Sequence, residues 1–460
     1  MAPNPLRTLS QQAWDSPFWN EYIETLPREK LDQQHLKRLQ GLMHFCRQHS
    51  AYYRGVFEKA GVKPEDIRSL EDFKQKVPLT EKNDFLELQQ QQPPYGPTQA
   101  LPDAFLAHHA ETSGTTGLPL AIPYSKYDTV KYGEGWVYGF WGLGIRPSDS
   151  FYFAFSWGNF AGFWSAYWGV RRLGGRVVSG GGLNTEGHIR AIERVRPTVL
   201  ISTPTFALRM AAVAKEMGMD PAKSSIKFTY HAGEPGPTAL PEMRKQIEEA
   251  WGAKSGELLG IAEVDAMAPG CPHGDGVHIN EMNVFSWSRD PETGAETAEG
   301  EIGEHIVTTY VNTAQPLLNY RTHDLVRRRR SCPCGRTWDK FEGSVLGRTD
   351  FMVTVRGTNV YQTAVENILG GMEGVSHHYE LVLERKVEND VMSIRFEPEK
   401  TVPGPEWANL ESQLADRIQQ ALHVRLEVEA VEPETLPRYD LKTKRIIDNR
   451  PKEFRRELDR

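Results

Sequence analysis

The sequence predicts an α/β protein with a large layered N-terminal domain of largely parallel sheets and a small α+β C-terminal domain. Three observations carry this reading. Between residues 150 and 310 short apolar runs alternate with helical patterns, as strand–helix layering requires. At 460 residues the chain exceeds what one hydrophobic core accommodates. Beyond residue 350 the pattern shifts to alternating strands around one amphipathic helix, in a unit of about a hundred residues, an ordinary domain size. Residues 1–349 are therefore assigned to the large domain and 350–460 to the small one.

The elements follow in order. Leu36, Leu39, Met43 and Cys46 recur at helical spacing, which predicts a helix over 31–47 with Cys46 in the core. QQQQPPYGP at 89–97 is expected to be a loop. GGRVVSGGG (174–182) and VLIST (199–203) read as strands, and FALRMAAVAKEMG (206–218) as a helix closed by its glycine. In the tail, FMVTVRG (351–357) alternates as a strand, and residues 379–400 read as a hairpin turning at Glu388–Asp390. Trp407, Leu410, Leu414, Ile418 and Leu422 form one helix face, and Leu426, Val428 and Ala430 alternate again.

Composition narrows the function classes. The net charge of −7 argues against a nucleic-acid or acidic-membrane partner. The N-terminus has no apolar signal region and no later stretch spans a bilayer, so a cytoplasmic protein is expected. Four cysteines are not a disulfide framework. Cys332-Pro-Cys334 instead has the spacing of a zinc knuckle, and CPHGDGVHIN offers Cys271, His273 and His278 as further ligands. Two thiolates from one loop plus a Cys and a His from another would close a tetrahedral, structural Zn2+ site. Arg327–Arg330 beside it could belong to a nucleic-acid-binding zinc ribbon, but sparse aromatics and the acidic total oppose that.

ETSGTTGLPLAIP (111–123) is the stretch richest in chemistry. Ser113, Gly114, Thr115, Thr116 and Gly117 can turn backbone N–H groups and hydroxyls toward phosphate oxygens. The spacing is not that of the NTPase P-loop.

Together with HAGEP (231–235), LGIAE (259–263), YRTHD (320–324), GRTD (347–350), VRGTNVY (355–361) and LKTKR (441–445), TSGTTGLP resembles the adenylate-forming enzymes. SGGGLNTE (179–186) and PTVLISTPTFAL (197–208) look most like the phenylacetate–CoA ligase branch. The resemblance covers roughly residues 105–450. It implies a mobile C-terminal domain and conversion of a carboxylic acid, with ATP and Mg2+, to an acyl-AMP that passes its acyl group to coenzyme A.

By resemblance, Ser113–Gly117 hold the pyrophosphate portion of ATP. Glu263 is the Mg2+-binding glutamate, Asp324 accepts from the ribose hydroxyls, and Arg348 assists it. Glu234 and Pro235 flank the adenine and the substrate carboxylate, and Asp350 is the hinge. Lys442 matches the lysine that bridges carboxylate and α-phosphate, with Lys444 as the alternative because Leu441 stands where the family has glycine. Gly357 lines the tunnel for the pantetheine arm. Three positions depart from the pattern: Leu118 replaces a lysine, Leu259 an aromatic and Ala262 a hydroxyl residue. The phosphate loop is therefore expected to be weakened, not abolished.

The acyl pocket is expected between FAFSWGNFAGFW (153–164) and the segment before Glu263. Trp157, Phe160 and Phe163 offer flat surfaces for an aromatic acid, Ala232 and Gly233 leave room for a ring, and Leu259 and Ala262 complete the wall. Trp141, Trp164 and Trp168 are assigned to the core. Some members of the branch carry the zinc site, and the HIN segment matches theirs at His278. Three functions are weighed: an aryl-acid:CoA ligase, an adenylating enzyme that delivers to an amine, hydroxyl or other non-CoA acceptor, and a non-catalytic relative that binds nucleotide or aryl acid. A homodimer is common among relatives.

Overall fold

The computed structural model describes residues 15–437 and 445–450, except 113–118, 156, 160, 350–351, 356–357, 387–388 and 423. β1 (Leu106–Glu111) and β2 (Ala121–Ser125) pair antiparallel on either side of the phosphate-loop sequence. The central sheet contains β3 (Ser150–Phe153), β4 (Arg176–Ser179), β5 (Val199–Ser202), β6 (Phe228–His231), β7 (Lys254–Ile261) and β8 (Asp265–Pro269). Its order is β4-β3-β5-β6-β7-β8, parallel from β4 to β7, with β8 antiparallel at the edge. Strands buried on both faces need near-continuous apolar residues, and SFYF and VLIS supply them. Helices Lys126–Leu143 and Ala161–Leu173 cover one face, with Trp136, Phe140, Phe151, Phe153 and Tyr230 interlocked between. Helices Thr185–Val195, Pro204–Glu216 and Pro241–Trp251 cover the other. Trp141 is core as expected, whereas Trp164 and Trp168 are only half-buried and ring His108, with centroids 5.0 and 5.2 Å away.

A second sheet contains β9 (Gly276–His278), β10 (Val284–Arg289), β11 (Ile302–Thr309), β12 (Tyr320–Arg329), β13 (Lys340–Glu342) and β14 (Gly347–Arg348). Helix Arg28–His49 lies against it and buries Leu39, Met43 and Cys46 of the expected stripe, with Leu36 partly buried beside them; Leu31 and His35 are buried too. Arg28 and His35 both bind the buried Glu281 carboxylate, His35 through Nε2 at 2.8 Å. A buried carboxylate answered by two partners locks the helix to its place, since removing one partner leaves a charge exposed to low dielectric.

The expected loop at 89–97 begins later than the glutamine run suggested. Helix Lys82–Gln91 continues through Gln89, whose amide bonds Ala121 in both directions at 2.8 and 2.9 Å, and ends before Pro93. That tertiary bond overrides the local polarity.

The C-terminal unit pairs β15 (Met352–Val355) with β16 (Thr358–Tyr361). Its four-stranded sheet has the order β19-β18-β17-β20, from β17 (Val375–Lys386), β18 (Asn389–Pro398), β19 (Glu427–Ala430) and β20 (Ile446–Asp448). β17 and β18 pair as far as Lys386↔Asn389, so the hairpin closes one residue earlier than Glu388–Asp390. Helix Trp407–Leu422 buries Leu410, Leu414 and Ile418 on that sheet. No described helix is long and apolar enough to cross a membrane.

Candidate active site

All parallel strands of the central sheet end at one edge, where α/β sheets leave a crevice. The segments leaving that edge carry seven of the residues singled out from the sequence. After β6 come Ala232, Gly233, Glu234 and Pro235; after β7, Ala262 and Glu263; after β3, the aromatic segment containing Trp157. Gly233 has φ +93°, a left-handed turn that glycine makes without strain. The Glu234 carboxylate accepts from the Thr205 backbone N–H (3.2 Å) and hydroxyl (2.8 Å) at the start of helix Pro204–Glu216. His231 is fully buried at the end of β6, and burial lowers its pKa to about 4.

Glu263 sits between the two sheets. Its backbone carbonyl accepts from Asn312 Nδ2 (2.8 Å), and its carboxylate lies 3.6 Å from Lys82 Nζ. Lys82 was missed in the sequence, because nothing in its own neighbourhood marks it. The structure brings it in through Thr80, which bridges to Tyr320 and exchanges backbone bonds with Asn319 and Arg321 (3.1 and 2.9 Å).

Asp324 and Arg348 face each other across β12 and β14, joined by Arg348 Nη1–Asp324 Oδ1 at 2.9 Å. A bulge in the β11–β12 pairing, with His323 at φ +62°, accompanies this turn of the strand.

On the acyl side, Trp157, Ala232 and Ala262 pack against one apolar cluster, whereas Leu259 packs against the other, beneath the N-terminal helices. Phe163 stacks on Phe155 with centroids 3.6 Å apart. Trp157 donates to Ser179 Oγ at 2.6 Å, and Asn159 O accepts from the Glu111 N–H at 2.7 Å, tying the aromatic segment to the strand that leads into residues 113–118. Asp265, at the start of β8, is buried, and burial raises its carboxyl to about 7. Ser113–Gly117, Leu118, Phe160, Asp350, Gly357, Lys442 and Lys444 lie outside the described residues.

The ligand atoms of Cys271, His278, Cys332 and Cys334 lie within 4.8 Å of one another, so His278 and not His273 completes the set. Cys271 Sγ is 3.5 Å from Cys332 Sγ, and Cys334 Sγ is 3.2 Å from His278 Nε2. Zn–S bonds of about 2.3 Å and a Zn–N bond of about 2.1 Å require tetrahedral edges of roughly 3.5–3.8 Å. Four such donors, with His278 Nδ1 directed to the Trp338 carbonyl at 3.2 Å, fit a closed zinc site. The neighbouring Cys271 S–H and then His278 hold the Cys334 thiol well below its usual range.

The model of the AMP-binding enzyme family matches residues 59–311, more than half of the chain. The chain belongs to that family. The model of the AMP-binding enzyme C-terminal domain matches residues 357–450 of the same AMP-binding enzyme. A phenylacetate-coenzyme A ligase of Thermus thermophilus is 32% identical over 450 residues, covering 93% of this chain and 98% of that one. The Escherichia coli protein of the same name is 29% identical, covering 93% and 97%. Among solved structures, a 2-hydroxyisobutyryl-CoA ligase in the postadenylation state, in complex with 2-HIB-AMP, superposes with a TM-score of 0.88 at 29% identity, covering 98% and 95%. The same ligase in the thioesterification state, with 2-HIB-AMP and CoA, gives 0.72 at 30% identity, covering 96% and 94%.

Proposed function

We propose that this AMP-binding enzyme is an ATP-dependent acid–CoA ligase that takes an aromatic carboxylic acid. In the first step a carboxylate oxygen attacks the α-phosphorus, the bond to the bridging oxygen breaks, and pyrophosphate leaves. In the second, the coenzyme A thiol attacks the acyl carbon and AMP leaves with the mixed-anhydride oxygen.

Each step draws on residues of this chain. Asp324, oriented by Arg348, accepts from the ribose diol. Ser113–Gly117 cradle the outer phosphates, and Glu234 and Pro235 flank the adenine and the acid's carboxylate. Mg2+ suits the hard carboxylate of Glu263 and, when bound, would spread the phosphate charge. Lys82, beside Glu263, supplies a cation in a chain whose phosphate-loop sequence has Leu118 in place of one. Lys442 places its ammonium between carboxylate and α-phosphate, where charge builds in the transition state. Rotation about Asp350, at a boundary between residues 349 and 350, then exchanges Lys442 for the Gly357 loop and the incoming thiol. The separate match of the C-terminal domain model and the drop in TM-score between two states of one ligase both support such a rearrangement. Cys271, His278, Cys332 and Cys334 hold a structural Zn2+.

The observation that carries the aromatic reading is the array of rings after β3. Phe155, Phe163, Trp157 and Trp164 lie within 5.6 Å of a neighbour, centroid to centroid, and Phe155 and Trp157 pack on the same apolar cluster as the small Ala232 and Ala262. The test is acid-dependent ATP–pyrophosphate exchange over benzoic, phenylacetic, hydroxybenzoic, aminobenzoic and short aliphatic acids. Hits are then rerun with coenzyme A and the thioester weighed by mass spectrometry. Exchange with an aromatic acid, followed by its CoA thioester, is the expected result; exchange confined to aliphatic acids would overturn the aromatic assignment.

A further inference from the structure

The pair Asp324–Arg348 stands on a distorted strand. Between Glu304↔Leu325 and Ile306↔Arg321 the pairing of β11 with β12 slips, so that Thr322, His323 and Asp324 stand opposite His305 alone. Thr322 is pinned inside this bulge. Its hydroxyl donates to the His305 carbonyl at 3.1 Å and accepts from the Asp324 N–H at 3.1 Å. His323 then takes a left-handed backbone, φ +62°, which glycine holds without strain and histidine does not. Strained residues other than glycine collect at functional sites.

The His323 side chain makes contacts that glycine would lack. Its Nδ1 lies 3.1 Å from Thr349 Oγ1 and 3.3 Å from Glu304 Oε1, and the Thr349 N–H donates to the His323 carbonyl at 2.7 Å. A carboxylate only accepts, so the contact with Glu304 puts the ring proton on Nδ1. Glu304 is a fixed point. It is fully buried and also holds Arg321, through Nε at 2.9 Å and Nη2 at 3.1 Å, and Arg289 at 3.3 Å. Successive rungs therefore join β12 to the segment of β14: Leu325 with Gly347, Asp324 with Arg348, and His323 with Thr349. The last of them is tied in turn to β11 through Glu304.

We propose that His323 is a positioning residue for the ribose of ATP, fastening the strand that carries Arg348 to Glu304 and so holding the Asp324 carboxylate at the angle that takes the sugar hydroxyls. This rests on the ribose role of Asp324 given above. A well-aimed acceptor rejects the sugar that lacks a hydroxyl, because the acceptor is then left unpaired; a misaimed one loses that discrimination first.

The experiment compares calorimetric affinities for MgATP and its 2′-deoxy and 3′-deoxy analogues. It uses the full chain and the variants Asp324→Ala, His323→Gly, His323→Asn and Thr349→Val, with thermal melting as the check on folding. The unaltered chain should bind ATP about tenfold or more tightly than at least one deoxy analogue, the value of one charge-assisted bond, and Asp324→Ala should abolish that preference. His323→Gly should bring the ratio within about threefold of unity. His323→Asn tolerates a left-handed backbone and offers an amide N–H in place of Nδ1–H, so it should keep most of the preference. If the glycine variant does not fold, Thr349→Val decides, and it should narrow the ratio likewise. A ratio left intact by the deciding variant, or an asparagine variant no better than the glycine one, would overturn the positioning role of His323 alone. No preference in the unaltered chain, or one that survives Asp324→Ala, would overturn the ribose reading of Asp324 and this assignment together.

Discussion

Lys82 is a single charge whose backbone is fixed and whose side chain is more than a third exposed. Thr80 is woven into the second sheet, Glu81 caps helix Lys82–Gln91, and Lys82 is that helix's first residue. Its ammonium can therefore move from Glu263 to a phosphate without any change of fold. Lys82→Met should weaken MgATP binding about ten- to a hundredfold by calorimetry, the range of one charge-assisted hydrogen bond. Adding Leu118→Lys to that variant should restore part of the loss. Unchanged nucleotide affinity in Lys82→Met would remove the residue from the site. Lys82 was invisible in the sequence because its meaning lies in the distance to Glu263, and only the strand bridge at Thr80 creates that proximity. The Asp324–Arg348 pair was legible, since each lies in its own short motif. Leu259 packs on a different cluster from Ala262, since a residue near the end of a strand can face either side and the register shift at Leu259/Gly260 marks where the facing changes.

At the scale of elements, the buried strands and amphipathic helices were readable from periodicity, and misreadings occurred where a tertiary contact outbid local composition, as with Gln89. The zinc knuckle was half legible. Cys332 and Cys334 announce themselves by spacing, but only the pairing of β9 with β13, Lys340 opposite His278, brings the second half to them. That geometry makes the cluster a clasp between segments far apart in the chain. The purified protein should contain one zinc ion per chain by elemental analysis. Cys334→Ser or prolonged chelation should release it and lower the melting temperature, by roughly 2–4 °C for each kcal/mol lost. Full retention of thermal stability in the metal-free protein would refute a structural role.

For the molecule as a whole, the proposed rotation of the C-terminal unit between two half-reactions makes one residue a test that separates them. Lys442→Ala is expected to depress acid-dependent ATP–pyrophosphate exchange by about 10²–10³-fold. The same variant should still make thioester when supplied with synthetic acyl-AMP and coenzyme A, because the proposed rotation takes Lys442 out of that step. Equal loss of both activities would mean that Lys442 serves the fold and not the first step. The Cys271–Cys332 approach of 3.5 Å carries a further consequence for handling the intact enzyme. A metal bound there acts as a protecting group, keeping three crowded thiols from one another and from peroxide. Protein stripped of metal in air would be oxidised across that gap, and adding zinc afterwards would not restore it until a reductant had first reopened the bond.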